Sequence, residues 1–280
     1  MYGSGERTPA ASRQGWQLED IPYERVEREA IAGDEHLFFL LTAASFVEIA
    51  SDLYAGNLVD YFCGDGEVCD WLAEQWQGEE IQHGKALRRY VETVWPQFDW
   101  AAAYGEFRRD YARYCRPEEL GPTPGLEMAA RCVVETGTAT LYTTLERVSP
   151  EPVLAQLARH IRNDEVRHYR HFFHHFQRYR GREPMGRLRV LRALWGRVAE
   201  VDNEDALVAY RNIFAARFPQ RRFSHDDYRA FVRRNGAMAR GAYPYSMAVN
   251  MFLKPLALPP RLRRWATPVL SAGARRFTPH

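Results

Sequence analysis

Two Glu-x-x-His pairs, Glu80/His83 and Glu165/His168, are the only such matches in the 280-residue sequence. Residues three apart project from one turn of a helix, so each pair can offer a carboxylate oxygen and an imidazole nitrogen to the same metal ion. Chance alone yields about one such match in a chain this rich in Glu and His, so phase carries more than number. Glu80 and His83 interrupt an apolar stripe of Leu72, Trp76, Leu87, Tyr90 and Val94, and Glu165 and His168 interrupt one of Leu154, Ala158, Ile161, Phe172 and Phe176. Each pair follows a segment with an acid on its own stripe. Glu48 falls among Leu37, Leu41, Ala44, Ala55 and Val59, with Asp52 near this face, and Glu135 shares a side with Cys132, Thr138 and Tyr142.

Carboxylates at core positions need partners, because an isolated buried one costs several kcal/mol or becomes neutral. No Lys or Arg lies on these stripes close to the acids except Arg131, one turn before Glu135. Four carboxylates balance two divalent cations, and mixed oxygen and imidazole ligation suits iron or manganese. Glu48 and Glu80 are 32 residues apart and Glu135 and Glu165 are 30 apart, separations at which antiparallel helices bring both members of a pair to one height.

The elements that must position these groups are helical. The periodicity predicts long helices near 24–63, 68–95, 124–147 and 150–180, with no convincing strand. Gly64-Asp65-Gly66 marks the first junction, Pro122-Thr123-Pro124-Gly125 opens the third segment, and Ser149-Pro150-Glu151-Pro152 offers a cap and a first-turn proline for the fourth. Pro96–Gly121 is long enough for a crossover between two hairpins, one of the four-helix bundle topologies. Further helices are predicted at 187–201, 203–218 and 225–239. The Pro-rich remainder (Pro244, Pro255, Pro259, Pro260, Pro268, Pro279) is expected to exclude any long helix and to wrap the bundle with its apolar side chains. The expected organisation is an N-terminal arm over 1–23, a di-metal bundle over 24–180 and a basic extension over 181–280.

Composition agrees with a folded chain: 46% hydrophobic, 26% charged and 13% aromatic. The longest nearly uncharged stretch, Leu37–Val47, is shorter than the roughly 20 residues that cross a bilayer, and Met1–Gln17 lacks the apolar centre of a signal peptide. Four cysteines without a CxxC pair read as reduced structural thiols, and a cytoplasmic protein is expected. A net charge of +2 hides an asymmetry: residues 1–180 hold 19 basic and 29 acidic side chains, and 181–280 hold 19 and 7. The basic part is a docking surface for an acidic partner, a part attracted to the acidic remainder of the chain, or a solvated Arg-rich face.

With Glu48, Glu80-Ile81-Gln82-His83, Glu135 and Glu165-Val166-Arg167-His168 in order, residues 30 to 180 resemble the ferritin-like di-iron carboxylate superfamily. The resemblance implies an all-α, ferritin-like four-helix bundle in which Glu48 and His83 serve one metal, Glu135 and His168 the other, and Glu80 and Glu165 bridge. Asn163–His168 is similar to the DExRH element of di-iron oxidases and desaturases, which implies that Asp164 orients His83. The 52 residues between His83 and Glu135 are similar to the interval in aldehyde-deformylating oxygenases and acyl-carrier-protein desaturases, and Cys132–Tyr142 looks like the third helix of the former. Ferritins lack so long a basic extension, and rubrerythrins need cysteines that this chain does not have. Thr138 stands where desaturases carry a threonine near the oxygen site, with backbone capping as the alternative. Thr138 and Tyr142 are the candidate catalytic residues.

The implied activity is that of an O2-dependent non-haem di-iron oxygenase or desaturase-like oxidoreductase, with two Fe ions (Mn or mixed Mn/Fe as variants) and O2 as cosubstrate. Its substrate would be a hydrophobic small molecule or a carrier-bound acyl group, and its electrons would come from an external donor such as a ferredoxin. Nucleic acid is not expected as a partner, and a homodimer stays open. The alternatives are an iron-binding ferroxidase or storage protein without an organic substrate, and a bundle that keeps its ligands but serves as a structural module. His171, His174 and His175 read as exposed or hydrogen-bonded histidines rather than extra ligands or proton relays, and Tyr54, Tyr90 and Tyr142 as core aromatics rather than radical positions. Glu79 points about 100° from Glu80 and is expected at the surface or behind a ligand. The basic tail, with Trp195, Phe223, Arg261, Arg263, Arg264 and Trp265, could face an acidic carrier, RNA or a membrane surface.

Overall fold

A computed structural model describes residues 15–116, 120–201 and 205–277. Residues 1–14 of the predicted N-terminal arm, the start of the 203–218 stretch and Pro279 lie outside the described residues. Among those described there is no strand. Thirteen α-helices follow one another: α1 (Arg28–Ile31), α2 (Glu35–Ile49), α3 (Asp52–Tyr61), α4 (Gly66–Asp70), α5 (Gln77–Val94), α6 (Trp100–Tyr111), α7 (Pro124–Val148), α8 (Pro152–Arg180), α9 (Arg187–Val201), α10 (Asp205–Arg217), α11 (His225–Ala242), α12 (Tyr245–Leu253) and α13 (Pro260–Phe277). A π-helical segment, Trp71–Trp76, joins α4 to α5. Such segments locally re-phase a helix and often precede functional positions; this one ends three residues before Glu79.

The long helices start where their caps dictate. Asp34 accepts from Leu37 N at the head of α2, and Thr123 caps α7 with Pro124 in its first turn. For α8 the cap is Glu151 rather than Ser149: its carboxylate accepts from both Val153 N and Leu154 N, with Pro152 following. The predicted 24–63 helix is broken twice: the chain turns at residues 32–34 between α1 and α2, and it leaves α2 at Ala50 and restarts as α3. The second break changes the phase, and Asp52 is accordingly not on the buried face. It is exposed, and Arg108 donates to both its carboxylate oxygens at 2.6 and 2.8 Å. The Pro96–Gly121 connection holds a helix of its own, α6, whose Trp100 and Phe107 pack on Phe46 of α2.

Four helices make the centre. α7 packs along α8, α2 packs along α5, and α5 meets α8. The α2–α5 approach depends on Gly84: a Cβ there would stand 2.4 Å from Ile49 Cγ1 and 2.6 Å from the Ile49 backbone nitrogen. Only a residue without a side chain lets the two backbones come this close at the level of Glu48 and His83.

The C-terminal helices lie against this centre. Phe39 of α2 stacks on Tyr210 of α10, Val190 and Leu194 of α9 join the cluster that includes Leu126 and Met128 of α7, and Tyr169 of α8 donates to the Met251 carbonyl of α12. One expectation fails here. The Pro-rich tail contains the 18-residue α13, with Pro260 as its first residue and Pro268 inside it. Proline is tolerated in a first turn, and Pro268 sits on an exposed side, where water can serve the Arg264 carbonyl that it leaves without a donor. No single helix among the described residues is long and apolar enough to cross a membrane. The pair Glu35–Ile49 and Asp52–Tyr61 is apolar enough together but is bent by 41°.

Candidate metal centre

The four central helices carry Glu48 (α2), Glu80 and His83 (α5), Glu135 (α7) and Glu165 and His168 (α8) to one buried place. Every other residue of the α5 and α8 stripes is buried with them. The side chains form two groups, Glu48, Glu80, His83, Glu165 and Glu80, Glu135, Glu165, His168, within each of which the ligand atoms lie no more than 4.8 Å apart. Glu80 and Glu165 belong to both groups. His83 Nδ1 lies 3.1 Å from Glu165 Oε1 and 3.7 Å from Glu48 Oε2, and His168 Nδ1 lies 3.0 Å from Glu80 Oε1 and 3.6 Å from Glu135 Oε2. Donor atoms each about 2 Å from a common ion stand roughly 3 Å from one another.

Five atoms in this place are buried without a hydrogen-bond partner: Glu48 Oε2, Glu80 Oε1, Glu165 Oε1, His83 Nδ1 and His168 Nδ1. Orphaned polar atoms in a core are costly, and here they belong to five side chains of the same cluster. The opposite edges of the two imidazoles are satisfied. His83 Nε2 is 3.0 Å from Asp164 Oδ2, and His168 Nε2 is 2.7 Å from Glu79 Oε2. An ionised carboxylate only accepts, so each Nε2 donates outward and each Nδ1 is the ring edge that would take a ligand on losing its proton. Arg167 ties the two outer acids together, donating to Glu79 at 2.9 Å and to Asp164 at 2.8 Å. The donor set and its unsatisfied atoms therefore fit a pair of divalent cations.

The electrostatics of the cluster's own side chains agree. Burial, with Glu165 and Glu48 nearby, pushes the Glu80 carboxyl well up, and burial pushes Glu135 up to about 8. Burial also acts against Glu165 and Asp164. His83 nevertheless holds each at about 2, aided at Glu165 by the His168 charge and at Asp164 by Trp16 and Arg167. Burial alone would lower both histidines, yet the surrounding carboxylates raise them well above the ordinary imidazole range.

Thr138 donates to Glu165 Oε2 at 2.6 Å, shorter than its approaches of 3.4 and 3.3 Å to the Val134 and Glu135 carbonyls. The Tyr142 hydroxyl donates to Glu48. Arg131, the one cation the sequence places near the acids, turns back onto Glu127 at 2.7 Å. His171 stacks on Trp71, and none of His171, His174 and His175 belongs to either ligand group. Tyr90 donates to Glu151, and the Tyr54 ring lies 6.0 Å from that of Trp76.

Trp16 has a place here that no spacing foretells. Its Nε1 donates to Asp164 Oδ2 at 2.7 Å, its carbonyl accepts from Gln82, and its ring lies parallel to His83. It stands 148 residues from Asp164 along the chain, so no local pattern connects them. Gly84 did carry a signal: a glycine inside a helix costs about 1 kcal/mol against alanine, which calls for a packing reason. An open groove of about 450 Å³ between α7, α8 and α12 is lined by Thr143, Arg147, Arg162, Asn163, Val166, Arg170 and Met247. Thr143 adjoins Tyr142, and Val166 adjoins Glu165. No protein-family model matches the chain, and no curated protein is significantly similar to it.

Proposed function

We propose that this protein is an O2-dependent non-haem di-iron oxidoreductase on a ferritin-like four-helix bundle, acting as an oxygenase or desaturase on a hydrophobic or acyl-type small molecule. The observation that carries the reading is the convergence of buried, unpartnered ligand atoms in two groups that share Glu80 and Glu165. Glu48 and His83 would hold one ion and Glu135 and His168 the other, with Glu80 and Glu165 common to both. Bound iron would supply the electrons with which dioxygen is activated.

The chain's own contribution is orientation and dryness. Asp164 and Glu79 fix the imidazole tautomers, while Thr138 and Tyr142 hold one oxygen each of Glu165 and Glu48. Trp16 lies over His83 and Trp71, backed by Phe172, lies against His168, and these rings exclude water. The groove with Arg147, Arg162 and Arg170 suits the carboxylate end of an acyl substrate. An external donor such as a ferredoxin would return electrons, and the four free cysteines fit a reducing, cytoplasmic setting.

Anaerobic loading with ferrous iron followed by metal analysis tests this reading. Two irons per chain are expected, and Glu80→Ala and His168→Ala should each fall below one. Unchanged iron in both variants sinks the assignment. An oxygen pulse then separates the classes: oxidation of an added acyl substrate supports the oxidoreductase, and cage assembly with accumulation of ferric mineral supports storage.

A further inference from the structure

Helix α13 leaves its large apolar side chains exposed. A surface helix of a water-soluble fold turns large apolar side chains inward. On α13 it is the small residues Ala266, Thr267 and Ser271 that are half-buried, and Thr267 donates to Asn250 Oδ1 of α12 at 3.0 Å. Its large side chains face out: Leu262 is 46% exposed, Trp265 67%, Val269 51% and Leu270 47%. Leu262, Trp265 and Val269 follow one another at spacings of three and four and Leu270 flanks them, a patch roughly 12 Å long on the 18-residue helix.

A second helix repeats the arrangement. α9 buries Val190 and Leu194 completely and shows a separate stripe outward, Leu188 at 82%, Leu191 at 39% and Trp195 at 66%. The two helices meet around the turn before α13: Arg187 donates to the Ala257 carbonyl at 3.2 Å, and Ala266 packs on the cluster that holds Val190 and Leu194.

Charge identifies what covers these rows. No acidic residue follows Asp227 in the sequence, and the rows are accompanied by Arg261, Arg263, Arg264, Arg275 and Arg276 on α13 and by Arg187, Arg189 and Arg192 on α9. A second copy of this surface would set arginine against arginine, so the partner is anionic. Tryptophan, leucine and valine in a helical row, with arginines around them, is the composition of a helix that lies in the headgroup region of a bilayer. We propose that α13, with the α9 stripe beside it, docks the protein peripherally on an anionic lipid surface. Trp265, Val269 and Leu270 enter the acyl boundary and the arginines meet lipid phosphates. This inference is independent of any metal chemistry.

Flotation of the full chain with vesicles tests it. Binding to phosphatidylcholine vesicles containing roughly a third phosphatidylglycerol should exceed binding to phosphatidylcholine alone about tenfold or more, and weaken as salt rises. The triple variant W265S/V269S/L270S should lose about tenfold or more of that binding, with its melting temperature and iron content unchanged because these side chains are exposed. Brominated lipid tails should quench part of the tryptophan emission of the parent chain and less of that of W265F. Equal vesicle binding by the triple variant, equal quenching in W265F, or a parent chain that ignores anionic vesicles while binding an acidic protein would each overturn the proposal.

Discussion

Glu79 holds His168 from behind: its Oε2 lies 2.7 Å from Nε2, while Nδ1 of the same ring faces Glu80 at 3.0 Å. Adjacent residues of α5 thus reach opposite edges of one imidazole on α8. Asp164 plays the matching part behind His83. Outer carboxylates of this kind make the imidazole a better ligand and fix its direction.

Replacing either outer acid should therefore weaken metal binding without removing a ligand. Glu79→Gln and Asp164→Asn are each expected to lower iron affinity roughly 10- to 100-fold, read by competition with a chelator. The depressed Asp164 carboxyl also contributes stability that is present above its ordinary range and fades as pH falls toward about 2. Asp164→Asn should accordingly flatten the acid limb of a denaturation profile, and an unchanged limb would count against this assignment.

Metal uptake should depend on pH in one direction. Among the cluster's own side chains Glu80 and Glu135 are raised, Glu135 to about 8, and both histidines are raised, so protons occupy the site near neutrality. A cation must displace them. Apparent affinity is expected to rise with pH through neutrality, with protons released on binding. Calorimetry in two buffers of different ionisation enthalpy measures that release, and its absence would contradict the account.

Gly84 is a steric requirement. Gly84→Ala would put a Cβ within 2.6 Å of the Ile49 backbone nitrogen, which cannot swing aside like a side chain. A loss of roughly 1–3 kcal/mol in urea denaturation is expected, with reduced iron binding because α2 carries Glu48. Restored stability in G84A/I49A would show that the Ile49 side chain alone is the obstacle.

Two ion pairs should differ by their burial. Glu127 is fully buried against Arg131, so Glu127→Ala strands a buried guanidinium and should cost about 3–5 kcal/mol. Asp52 and Arg108 form a doubly bonded pair at the surface, where Asp52→Ala should cost about 1 kcal/mol or less. Chemical denaturation of the two variants side by side gives the comparison.

Much of the helical framework could be read from the one-dimensional pattern, because period and caps are local. The stripes containing Glu80, His83, Glu165 and His168 are buried along their length, and α7, α9 and α10 run within a few residues of their expected bounds. The break at Ala50 was hidden because both flanks are apolar, and it moved Asp52 out of the core. α13 was hidden because composition shows how many prolines a segment has, not whether each falls at a first turn or on a wet face.

Sequence by itself determined which side chains on which helical faces could share a metal, since that follows from spacing and the cost of burying charge. Tertiary structure decided everything that depends on separate segments meeting: Glu80 and Glu165 as members of both groups, Glu79 behind His168, Trp16 over Asp164, and the outward row of α13. Approach between residues on separate helices depends on how backbones pack, as at Gly84 and Ile49, and no period along the chain encodes it.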